Sequence, residues 1–170
     1  AKGVGELALA SVNIAAPCTS ALFSLGMLFA AGASTVTAIL LGQGKQEEAN
    51  RNFSALTLTT LIIGILGAVL GNLFCRQICS LLGATPVLMD YGTAYLRTIL
   101  SFAPVCLLQA LFQSFFVTAG RPGLGLSLTV SAGITNMLLD YLFVVPLHLG
   151  VAGAALATGL GQCIPAVAGI

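Results

Sequence analysis

Charge is what this sequence has least of. Six Lys or Arg and five Asp or Glu make up 6% of its 170 residues, where an ordinary soluble domain carries about 25%. Such a chain cannot clothe its own surface in water. The net charge of +1 leaves no electrostatic footprint for nucleic acid and no acidic tail. A soluble enzyme, a disulfide-stapled secreted domain and a disordered linker are all excluded. With 58% hydrophobic residues and 20 Gly, the composition points to an all-α, polytopic membrane protein with no soluble domain.

The five cysteines, Cys18, Cys75, Cys79, Cys106 and Cys163, sit inside apolar runs. An odd number of thiols in hydrocarbon reads as packing, not as a disulfide framework. Cys75 and Cys79 share a helix face, but no His or carboxylate lies near them in sequence, so a metal site is not expected there. The one histidine, His148, falls in a predicted turn and reads as a loop residue. There is no initiator Met and no signal peptide, and the last residues stop inside an apolar stretch. The reading is of a piece of a longer protein.

Charges punctuate the sequence, so the uncharged runs outline the spans: Leu7–Gly44, Asn52–Cys75, Thr98–Gly120, Pro122–Leu139 and Tyr141–Ile170. A helix needs about 20 apolar residues to cross a bilayer, and backbone groups in hydrocarbon must be paired internally. Helices are therefore expected over roughly 8–40, 52–74, 91–118, 124–145 and 150–170: about four full helices plus an incomplete fifth. The first is read as one long, tilted helix with a bend near Pro17. Two small-residue faces, Gly64, Gly67 and Gly71 in one helix and Gly150, Gly153, Ala154, Ala157 and Gly161 in another, predict close helix packing. Basic residues divide three against three between the two sides, so charge alone fixes no orientation.

Gly42-Gln43-Gly44-Lys45 lacks the spacing and the preceding strand of a phosphate loop. Glu47, Glu48 and Arg51 read as a short amphipathic connector at the surface. Asp140 is different. It lies about 9 Å inside the fourth span by helical rise, where an ionised carboxylate costs at least a few kcal/mol and is a functional candidate by default. Asn136 is four residues earlier, on the same face. A carboxylate beside neutral oxygens can hold a proton or, when ionised, a hard cation. Either state discharges the acid, which is the chemistry of a coupling site in an ion-driven transporter. A purely structural role, with Asn136 and Asp140 tying helices together, is the competing reading.

Several motifs carry a family resemblance. Gly32-Ala33-Ser34, Leu41-Gly42-Gln43-Gly44 and Glu48-Ala49-Asn50-Arg51 resemble the second helix and following loop of the multidrug and toxic compound extrusion (MATE) transporters. Leu82-Gly83-Ala84, Tyr91 and Tyr95-Leu96-Arg97 resemble the passage from their third helix to their fourth, and Ala119-Gly120-Arg121-Pro122 the loop after it. Asn136-Met137-Leu138-Leu139-Asp140 and Gly150-Val151-Ala152-Gly153-Ala154-Ala155-Leu156-Ala157-Thr158 resemble the helix-five motif and the start of helix six.

The resemblance implies a twelve-helix, two-lobe transporter, of which residues 1–170 would be part of the N-terminal lobe, lacking helix one and the C-terminal lobe. It implies export of cationic or amphipathic organic compounds in exchange for Na⁺ or H⁺ across the cell membrane, with no other cofactor, no nucleic-acid partner and no enzymatic activity. It implies cytoplasmic loops at Lys45–Arg51 and Arg121. It also implies an ion site of Asn136, Asp140 and Thr158, with Na⁺ as the possible metal, joined by Gln113 from helix four. The rival readings are a lipid-linked oligosaccharide flippase of the same superfamily and a membrane-embedded enzyme using Asp140. The first would favour basic residues deep in the spans, and the second a further titratable group at comparable depth.

Overall fold

The computed structural model describes residues 2–147 and 149–169, the side chains of 2–9 and 11 aside; His148 lies outside the described residues. Within them the chain forms seven helices: α1 Lys2–Gly42, α2 Gln46–Leu73, α3 Cys75–Leu81, α4 Pro86–Ser101, α5 Ala103–Thr118, α6 Pro122–Val144 and α7 Gly150–Ala168. Four stretches are long and apolar enough to cross a membrane: Val12–Gly42, Gln46–Leu73, Pro122–Val144 and Gly150–Ala168. The pair α4 and α5 supplies a fifth if its two halves count as one broken span.

Two sequence expectations are corrected. The helix expected over 91–118 is two helices meeting at 49°. Pro104, in the first turn of α5, has no N–H to give, and its ring opposes the carbonyl four residues back. The chain caps α4 instead through Phe102 N–H to the Ile99 carbonyl at 3.0 Å, then restarts with Cys106 N–H on the Phe102 carbonyl at 2.9 Å. The surface connector expected at Glu47, Glu48 and Arg51 is the opening of α2. Both acids sit in its first turn, where the exposed N–H groups favour negative charge, and Lys45 pairs with Glu48 at 3.3 Å. The long first helix is a single element, α1, with Pro17 inside it.

The turn from α1 to α2 closes on Gly44, whose φ is +75°. Lys45 N–H reaches back to the Leu40 carbonyl at 3.0 Å and Gly44 N–H to that of Leu41. This six-to-one closure needs a left-handed residue, which glycine adopts at least cost.

At the centre of the bundle is α5, with Ala103, Cys106, Leu107, Leu108, Leu111, Phe112 and Phe115 all buried. Phe53 of α2 stacks edge-on against Phe115, ring centroids 4.7 Å apart. Glycines let the outer helices close on this core. A Cβ at Gly64 would lie 2.5 Å from the Pro104 Cα, and one at Gly71 would lie 2.9 Å from Leu100. Gly67 has nothing within 4 Å. The contact face of α2 thus repeats at seven residues, through Gly64 and Gly71, rather than through the four-residue Gly67–Gly71 step.

Candidate functional site

Helices α6 and α7 run antiparallel across a short connection and touch backbone to backbone. At Gly161 a Cβ would stand 3.0 Å from the Ala132 carbonyl and 3.1 Å from the Asn136 Cβ; at Gly153 it would stand 3.1 Å from the Phe143 Cβ. These two glycines, eight residues apart, fix the register of the pair. That register sets Thr158 opposite Asn136, whose Nδ2 donates to the Thr158 Oγ1 at 3.3 Å. The Thr158 hydroxyl donates in turn to the Ala154 carbonyl at 3.0 Å.

One turn along α6 from Asn136 lies Asp140. Its Oδ1 is buried and has no hydrogen-bond partner among the described residues. Leaving such an oxygen unmatched costs about 1–3 kcal/mol, more when it is charged, and buried polar atoms without partners are rare enough to call for an explanation. A second buried oxygen without a partner among the described residues, Oε1 of Gln162, lies one turn beyond Thr158 on α7.

The seam thus joins Asn136 to Thr158, while Asp140, one turn along α6, has an Oδ1 bonded to neither among the described residues. Gln113 sits on the exposed side of α5, where its Oε1 accepts from Gln109 Nε2 at 3.1 Å. Among the described residues no hydrogen bond links it to the other three. Gln162 is not singled out for this site by the sequence. An amide four residues after Thr158 on an apolar helix was the available signal for Gln162.

A carboxylate oxygen without a partner, an amide carbonyl and a hydroxyl make an all-oxygen donor set, which suits a proton or a hard monovalent ion more than a transition metal. Among the described residues no three His, Cys, Asp or Glu side chains gather where they would hold a metal, so any cation here would rest on one charged oxygen and neutral ones. The buried thiols at Cys75 and Cys79 belong to an apolar cluster with Ala15, Leu96 and Leu100.

Several apolar spans and a glycine-seamed helix pair, with a buried carboxylate oxygen on one of its helices, define a multi-pass α-helical membrane protein. A family model described as MatE matches residues 1–142. The chain belongs to the MatE family. It is 28% identical over 156 residues to the multidrug export protein MepA of Staphylococcus haemolyticus (strain JCSC1435), an overlap of 92% of this chain and 34% of MepA. It spans about a third of the length of the curated relatives it matches. Its fold superposes on an outward-facing multidrug resistance MATE family transporter with a TM-score of 0.92, at 22% identity, over 99% of this chain and 37% of that one. An inward-facing conformation of such a transporter matches with a TM-score of 0.91 and 22% identity, over 97% of this chain and 38% of that one.

Proposed function

We propose that this chain is part of the N-terminal lobe of a secondary antiporter that exports cationic or amphipathic organic compounds in exchange for Na⁺ or H⁺. The observation that carries the reading is the Asp140 Oδ1, buried without a partner one helical turn from the Asn136–Thr158 bond. Export by the MepA relatives supports the transport half of the proposal. It favours that reading over a membrane-embedded enzyme, as does the lack of a second acid on α6 or α7.

In this mechanism an ion enters from the outside and settles on Asp140, with Asn136 and Thr158 supplying neutral oxygens. Charging and discharging the acid changes what α6 and α7 find favourable. An ion shifts the lobe's equilibrium only by its differential affinity for the two states. Entry of one positive charge is favoured by about 2.3 kcal/mol per 100 mV of membrane potential. The near-equal match of this segment to inward- and outward-facing structures supports a lobe that moves largely as one body.

The test is Asp140→Asn in the full-length protein, reconstituted in liposomes with efflux of a fluorescent organic cation followed under an imposed Na⁺ or H⁺ gradient. The variant keeps volume and hydrogen-bonding reach but cannot change charge. Gradient-driven efflux should fall by about tenfold or more, a loss typical of a site-to-site coupling free energy, while expression and membrane insertion persist. Wild-type efflux under both gradients would sink the reading.

A further inference from the structure

The joint between α4 and α5 does more than bend the chain. Its pivot, Phe102, presents its ring to Gly159 of α7, where an added Cβ would overlap ring atoms Cγ, Cδ1 and Cδ2 at less than the 3.0 Å that real Cβ atoms keep. Only a hydrogen fits between ring and helix. The other side of the joint is held as closely, by Gly64 on Pro104 and Gly71 on Leu100. The half-buried ring is thus held against α7 by a backbone that α2 grips from behind.

Gly159 directly follows Thr158. Successive residues on an α-helix point about 100° apart around its axis. With Gly159 turned to the joint, Thr158 faces α6, where its hydroxyl meets Asn136 at 3.3 Å. That separation already lies at the long end of the N–H···O range, so a small rotation of α7 breaks it. We infer that Phe102 is a positioning residue for the ion site: by bearing on Gly159 it sets the rotation of α7, and so the approach of the Thr158 oxygen to Asn136 and Asp140. The inference rests on the proposed role of Asp140 and assigns Phe102 no contact with ion or substrate.

The full-length protein in liposomes provides the test, through two separate titrations. One gives the cation concentration, Na⁺ or H⁺, that half-saturates efflux; the other gives the half-saturating concentration of a fluorescent organic cation. Gly159→Ala forces ring or helix to move. It should weaken the ion dependence by about three- to tenfold, the value of one modest hydrogen bond expressed as an equilibrium ratio, and leave the half-saturating organic cation within about twofold of wild type, less than such a bond is worth. Phe102→Leu in the same background removes the ring's flat edge and should restore most of the loss. If Gly159→Ala does not accumulate in the membrane, Phe102→Leu alone decides, with an expected shift of about two- to threefold in the ion titration only.

Wild-type ion titrations in these variants, or equal shifts in both titrations, would overturn the inference. Asp140→Asn is measured alongside. If it too keeps wild-type ion dependence, the site itself is misassigned; if it loses that dependence while the Phe102 and Gly159 variants do not, only the role of Phe102 falls.

Discussion

At the scale of single residues, the proposed ion site divides into one group that would change charge and two that would not. Asn136→Ala removes a neutral oxygen and the donor to Thr158 but leaves the acid. Its efflux should therefore fall less than that of Asp140→Asn, and a matched pair of liposome assays would rank them. Cys75 offers a check on packing. It lies in α3, outside the apolar spans, and is fully buried; burial pushes its thiol up to about 11. A raised thiol pKa keeps the proton on through the neutral range, so at pH 8 about one molecule in a thousand carries the thiolate that alkylating reagents attack. Iodoacetamide at pH 8 should leave Cys75 unmodified in the folded protein and modify it after denaturation, as read by peptide mass spectrometry. Asn136 and Asp140 were legible because a four-residue step on an apolar helix needs no tertiary knowledge. Thr158 was reached only through the family resemblance, because its place opposite Asn136 depends on how closely Gly153 and Gly161 let α7 lie on α6. Gln113 came by the same route, and which way it faces is set by the rotation of α5.

At the scale of helices, the seam of α2 sets up a paired experiment. Gly64→Ala puts a methyl against the backbone of Pro104, which cannot swing aside. Overpacking of this kind costs about 1–3 kcal/mol. Gly67→Ala meets open space and gains helix propensity of up to about 1 kcal/mol. Thermal unfolding in detergent, followed by fluorescence-detected size exclusion, should place Gly64→Ala several degrees below wild type by the usual size scaling and Gly67→Ala at or above it. The reverse order would mean that α2 is rotated relative to α5. Most spans were readable because hydrocarbon imposes both their length and their apolarity. The break at Phe102 was not, since Thr98–Gly120 is uniformly uncharged and hydropathy is blind to a change of direction. The signal present was Pro104, and it marks the start of a helix as readily as a kink within one.

For the molecule as a whole, charge fixes no orientation, and the one that the family resemblance implies can be measured. With the turn at Gln43–Lys45 on the cytoplasmic side, the Gly83–Thr85 turn lies outside. Thr85→Cys in whole cells should react with a membrane-impermeant maleimide, whereas Gln43→Cys should react only after permeabilisation. The opposite pattern would invert the lobe. The native thiols give a quiet background, because Cys75, Cys79 and Cys106 are buried and Cys18 and Cys163 half-buried.

The uneven depth of the bundle carries a consequence for how it breathes. Seven residues of α5 are buried, whereas in α6 the one residue buried among those described is Gly125. Local opening free energies follow such differences in apolar contact. In hydrogen–deuterium exchange the amides of α5 should outlast those of α6, giving a gradient of protection that falls from the centre of the lobe toward the helix bearing Asn136 and Asp140. The carboxylate thus rides on a helix that buries little of its own surface among the described residues and is held chiefly by its close seam with α7.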